Sequence, residues 1–241
     1  MSGHSKWNNI KHKKEKSDAA KAKIFTKIGK EMAVAIKAGG PDPNTNNKLR
    51  DLIAKAKANN VPNENIQRTI KKFTDSNDVN YEEITYEGYG PSGVAIIVET
   101  STDNRNRTAG NVRAWFNKYG GNLGQTGCVS FMFEEKGVIT IMDEDGEIDE
   151  DKIMEDALEC GAEDIKCEDG EFTIYTTPDD LDTVRDAIIV LGYRIDTADL
   201  AKVPSTYVDL TSDEDVENME KMLDKFNEDD DVNAVYTNWD N

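Results

Sequence analysis

Lys16, Lys23, Lys27, Lys30 and Lys37 recur at the spacing of one helical face. At about 100° per residue they fall within an arc of roughly 80°. Phe25, Ile28, Met32, Ala35 and Ile36 occupy the opposite arc, and only Lys21 breaks the separation, near the start, where its stem can snorkel outward. A helix with one buried stripe and one cationic stripe follows. Ammonium groups presented outward together would neutralise phosphates and release their counterions. The same stripe also reads as an ordinary solvated face.

Two further groups could do similar chemistry. In the segment before Ser17, Lys6, Lys11, Lys13, Lys14 and Lys16 interleave with Trp7, Ile10, His4 and His12. This is too polar to pack a core, and it reads as an arm ordered by a partner, with Trp7 either stacking on a base or anchoring the arm to its own domain. Arg105, Arg107, Arg113 and Lys118 gather in TDNRNRTAGNVRAWFNKYGGNLG, inside an otherwise acidic region. Backbone N–H groups at a helix start and guanidinium forks can bind phosphate together. Pairing with the plentiful carboxylates nearby is the alternative.

Other chemistries find little support. His4 and His12 are the only histidines, and Cys128, Cys160 and Cys167 form no CxxC, so neither a metal site nor a disulfide framework is expected. Tyr119–Gly124 is glycine-rich but lacks the Gly-Lys-Ser/Thr ending of a phosphate-gripping loop. The acidic run Asp143–Glu147 places its glycine too early for a calcium loop. No serine, cysteine or histidine is arranged as a nucleophile with its base, so no catalysis, cofactor or small-molecule substrate is expected.

Charge is distributed asymmetrically. Residues 1–73 carry 17 Lys and Arg against 6 Asp and Glu, a net +11, and residues 74–241 carry 12 against 42, a net −30, which together make the −19 of the chain. A basic module on an acidic body implies a polyanion partner approached by one end. With 37% hydrophobic residues, no apolar run approaching the roughly 20 needed to span a bilayer, and no secretory signal pattern at the start, a cytoplasmic protein is expected.

The elements that must position these residues are legible from periodicity and breakers. Ser17 or Asp18 caps the first helix, and Gly39, Gly40 and Pro41 end it. A second helix starts near Asn44–Asn47, buries Leu49, Leu52, Ile53 and Ala56, and stops at Asn59 and Asn60. A third follows Pro62, with Ile66, Ile70 and Phe73 on one face. After a polar linker come strands at 81–87 and 94–100, a helix at 103–118 and a strand at 128–133. Residues 136–202 then read strand, helix, hairpin, helix, strand, the split βαβ or ferredoxin-like order. Strand, helix and strand resume at 207–210, 213–226 and 234–237. The expected fold is α+β: an N-terminal three-helix domain over 1–78, a discontinuous α/β domain over 79–134 plus 203–241, and an inserted ferredoxin-like domain over 135–202.

GHSKWNNIKHKK at 3–14, KIFTKI at 23–28, KAKANNVPNENI at 55–66 and TDNRNRTAGNVRAWFNKYGGNLG at 102–124 together resemble the YebC/PmpR family. That family is described as transcriptional regulators and is similar to mitochondrial translational activators of cytochrome oxidase subunit synthesis. The resemblance covers the full length. It implies an N-terminal helical domain and two α/β domains around a concave acidic face, with no enzymatic activity and no cofactor. Its tail reads HKKEK where members often carry arginine, and Pro41 follows Gly40. Lysine lacks the bidentate fork that favours base reading. Three roles stay open: a DNA-binding transcriptional regulator, a ribosome-associated translation factor that binds ribosomal RNA and relieves stalling, and an acidic protein-interaction module.

Overall fold

The structure, a computed structural model, describes residues 18–75, 80–143, 145–168 and 170–240. The chain divides into two compact units; among the described residues, 132–207 with 240 form one, and 18–131 with 208–239 form the other.

The larger unit begins with α1 (Asp18–Gly39), α2 (Asn47–Ala58) and α3 (Asn63–Asp75). Their apolar stripes meet in one core of Ile28, Met32, Ala35, Ile36, Leu49, Leu52, Ala56 and Ile66. The α1–α2 corner is fixed by two residues. Gly40 adopts φ 83°, the left-handed turn that ends a helix, and its N–H bonds the Ile36 carbonyl at 2.8 Å. Buried Asn46 caps α2 by accepting from Leu49 N at 3.1 Å, and its amide donates back to the carbonyls of Ala35 and Gly40 at 2.8 and 2.7 Å.

Next come β1 (Glu82–Tyr89), β2 (Ala95–Thr102), α4 (Arg105–Lys118) and the two-residue β3 (Asn122–Leu123). After the second unit the chain returns with β8 (Val208–Asp209), α7 (Asp213–Glu228), β9 (Val232–Thr237) and β10 (Trp239–Asp240). The antiparallel sheet has the order β3-β1-β2-β9. Because β9 pairs with β2, Ile96 opposite Thr237, the middle domain is discontinuous, completed by residues from the far end of the chain. α4 and α7 pack together through Phe116 and Trp115, whose ring centroids lie 5.4 and 5.6 Å from that of Phe226. The expected strand at 207–210 is only a two-residue rung between β8 and β10, outside the main sheet.

The smaller unit runs β4 (Phe133–Met142), α5 (Glu150–Glu159), β5 (Asp164–Glu168), β6 (Glu171–Thr176), α6 (Leu181–Val190) and β7 (Thr197–Pro204). Its strand order β5-β6-β4-β7, all antiparallel, is the ferredoxin-like arrangement. Ile139, Ile141, Phe172 and Ile174 from the strands pack against Ile153 and Ala157 of α5 and Val184 and Ile188 of α6.

The strand expected at 128–133 is corrected. Ser130–Met132 is a 3₁₀ turn and β4 begins at Phe133. The alternation in that stretch is broken by the carboxylate of Glu87, which takes the backbone N–H groups of Gly127, Val129 and Ser130 away from any ladder.

Candidate nucleic-acid interface

The lysine stripe of α1 does not stand free. Lys23, Lys27 and Lys30 share one helical face, and that face meets the end of α7. Lys23 Nζ donates to the Glu228 carbonyl at 3.2 Å, Lys27 Nζ to that of Asn227 at 3.0 Å, and Lys30 Nζ to that of Asp230 at 2.9 Å. A helix C-terminus leaves its last carbonyls without intrahelical partners and carries partial negative charge, so ammonium groups are stabilising there. Lys30 goes further and pairs with Asp231 Oδ1 at 2.7 Å, the two side chains being only 12% and 5% exposed.

Asp231 is the hub of this contact. Its second oxygen accepts from Arg107 Nη2 at 2.7 Å, Thr108 Oγ1 at 2.8 Å and Thr102 Oγ1 at 3.2 Å. Burial raises the carboxyl's pKa, but the bonds from Lys30, Arg107 and Thr108 outweigh it and hold the group at about 2. Arg107 also pairs with Asp103 at 2.8 Å, and the two carboxylates hold it protonated well above the usual guanidinium range. Asn111 on α4 adds a bond to Asp229 at 3.1 Å. The expectation that Lys23, Lys27 and Lys30 all face solvent is therefore corrected for Lys27 and Lys30, which are half-buried, while Lys23 stays exposed: backbone carbonyls of the same chain, and for Lys30 a carboxylate, hold the three, because the fold brings residues about 200 positions away into register with the stripe. Replacing all three by Glu would break packing as well as any surface charge.

The other expected contacts separate in the same way. Lys37 is exposed and bonds Asn80 Oδ1 at 2.8 Å. Lys118 is exposed, with its ammonium 5.2 Å from the centroid of the Tyr119 ring. Arg105 and Arg113 are exposed on α4, and neither forms an ion pair with a described residue. Lys6, Trp7, Lys11, His12, Lys13, Lys14 and Lys16 lie outside the described residues.

α4 owes its position to a local device. Asn104 caps it, accepting from Arg107 N at 3.1 Å, while its own N–H bonds Thr102 Oγ1 at 2.9 Å. Thr108, Val112 and Phe116 are buried; Arg113 projects to the side of that stripe, and Arg105, the first residue of the helix, is exposed at its open end. A signal in the sequence marks the same segment: between Asp103 and Glu134 there is no Asp or Glu at all, in a chain with 48 of them among 241 residues. The Asp231 hub had no such signal, because an aspartate in the run Glu228–Asp231 looks like any other solvated acid.

The model described as "TACO1/YebC protein N-terminal domain" matches residues 5–76, and that described as "TACO1/YebC second and third domain" matches residues 81–239. A protein of Acetivibrio thermocellus named "Probable transcriptional regulatory protein" is 57% identical over 240 residues, covering 99% of both chains. One of the same name from Lachnoclostridium phytofermentans is 55% identical over the whole of both. The crystal structure of a conserved hypothetical protein from Aquifex aeolicus superposes with a TM-score of 0.82 at 42% identity, covering 92% of this chain and 91% of its own.

Proposed function

The chain belongs to the TACO1/YebC family, and from that membership we propose that it is a non-enzymatic regulator of gene expression that binds nucleic acid through its sugar–phosphate backbone. One observation carries the reading. The segment from Asn104 to Phe133 holds no carboxylate, and it presents Arg105 and Arg113 exposed and without an ion pair to a described residue. In a molecule of net charge −19, such a segment is where a polyanion meets less repulsion than elsewhere on the chain. Lys37, Lys118 and the lysines of the N-terminal arm are proposed as further phosphate contacts. The relatives are named probable transcriptional regulatory proteins, and the reading we take from that is binding to DNA in the control of transcription. The proposed setting is the cytoplasm; no described helix is long and apolar enough to cross a membrane.

A second reading, binding to ribosomal RNA, is favoured by a separate observation. A helix that reads the major groove must offer its polar face to the bases, yet the basic face of α1 is bonded to α7. On α3, Arg68 pairs with Glu64 at 3.2 Å. Backbone and single-strand contacts suit RNA loops better.

Binding of a labelled 20-nucleotide duplex and single strand, as DNA and as RNA, tests the reading across a salt series. Each phosphate contact contributes about −0.9 to the log–log slope on duplex DNA. The double variant Arg105→Ala/Arg113→Ala is expected to bind every probe more weakly, with the duplex slope shallower by about 2 and the urea midpoint unchanged. An unchanged slope would remove this interface, and absence of binding at low salt would remove the whole reading.

A further inference from the structure

The acid-free segment ends in a loop, residues 124–131, whose construction points to more than phosphate contact. Its shape is imposed from beneath by Glu87, a buried carboxylate on β1. Glu87 Oε1 accepts from Gly127 N at 2.8 Å, and Oε2 accepts from Val129 N at 2.9 Å and Ser130 N at 2.8 Å. Burial pushes this carboxyl up, and the three backbone donors overcome that and hold it below the ordinary carboxylate range. Its charge is thus consumed inside the loop. The entry is pinned by Gly124 N on the Glu87 carbonyl at 2.8 Å, and a Cβ at Gly124 would lie 2.5 Å from Cys128 Sγ. Tyr89 OH closes the far side, donating to the Cys128 carbonyl at 3.1 Å.

A loop held this firmly nevertheless ends in Phe131 with 77% of its surface exposed. Within the larger unit, the large apolar side chains exposed among the described residues are Phe131 and Tyr89, the latter at 38%. Both are aromatic and both border this loop. A protein partner docking by burial would need a contiguous apolar patch of several hundred Å², and two rings beside exposed Gln125, Thr126 and Gly127 do not supply one. A flat ring on a rigid support, in a segment free of negative side chains, suits a nucleobase. Stacking on aromatic side chains is the sequence-tolerant way in which single strands are held, and a pre-organised loop spends little entropy in making the contact.

We propose that Phe131 is a base-stacking residue, and that the 124–131 loop selects unpaired over paired nucleic acid. This rests on the nucleic-acid reading above and adds to it which form is bound. The loop takes an unstacked base on the Phe131 ring. A base inside a duplex cannot reach that ring without leaving its own stack.

The test compares the full-length chain with Phe131→Ala, Phe131→Leu and Phe131→Tyr on a fluorescein-labelled 20-nucleotide single strand and on the same strand annealed to its complement. Phe131→Ala is expected to weaken single-strand binding about tenfold and to leave duplex binding unchanged. Phe131→Leu should behave like the alanine variant and Phe131→Tyr like the parent, because a ring rather than apolar bulk is required. Equal single-strand affinity for Phe131→Ala and the parent, while Arg105→Ala/Arg113→Ala weakens both probes, would overturn the stacking role and leave the nucleic-acid reading standing. A parallel loss on both probes with a lowered urea midpoint would assign Phe131 to the fold. A dimer in sedimentation that Phe131→Ala converts to monomer would make the occupant a second copy of the chain. No binding of either probe by the parent at low salt would remove the proposal together with its premise.

Discussion

Two cationic segments, α1 and α4, behave in opposite ways. α1 concentrates lysines on one face, and three of them, Lys23, Lys27 and Lys30, are bonded to the end of α7 and its following loop. α4 carries fewer cations, yet Arg105 and Arg113 remain exposed without an ion pair to a described residue. Arg107 lies between the two cases: it is on α4 but is tied to Asp103 and Asp231. The difference teaches that the number of charges on a helix face says little about what the face offers a partner. What decides is whether the fold delivers carbonyls and carboxylates to it. Where it does, the cations hold the helical segment against the sheet; where it does not, they face outward.

The comparison can be broken most directly at the hub. Asp231→Ala removes the acceptor shared by Lys30 and Arg107 and leaves a nearly buried ammonium group without its counter-charge, held only by the Asp230 carbonyl. Losing one partner of such a pair costs about 3–5 kcal/mol. A urea midpoint close to that of the parent would show that the contact contributes nothing to folding.

The acid limb of stability reads the same carboxylate without mutation. A group held at about 2 when folded, against about 3.9 when unfolded, contributes fully above the unfolded value. That contribution is lost as pH falls through the folded one, on the order of 2–3 kcal/mol in all. Stability should therefore decline between about pH 4 and about pH 2, and Asp231→Asn should flatten that decline. An identical limb in Asp231→Asn would transfer the acid sensitivity to other carboxylates.

Glu87→Gln sharpens the comparison from the other side. It leaves one oxygen for three N–H donors and places an amide against the rest, at a cost of about 2 kcal/mol. Faster amide exchange at Val129 and Ser130 should accompany it, with the α1–α7 contact unchanged. The smallest effect belongs to the outer lysines. Lys23→Ala and Lys27→Ala each give up a contact to a helix C-terminal carbonyl, about 0.5 kcal/mol, and neither should alter the salt slope of nucleic-acid binding. A slope lowered by either variant would return the stripe to the interface.

The sequence by itself determined the elements and their inner faces. The positions that alternate or recur every three to four residues, such as Ile28, Met32 and Ile36 or Ile139 and Ile141, are buried because periodicity is a local property of the backbone. The ferredoxin-like strand order and the return of the chain to complete the middle sheet followed from the same patterns. What only the tertiary structure decided was pairing at long range. Asp231 lies 201 residues from the lysine it binds and Glu87 about 40 from the loop it shapes, so neither is distinguishable by its neighbours from the other acids of the chain. An electrostatic partner is chosen by distance in space, and a linear charge pattern records only distance along the chain.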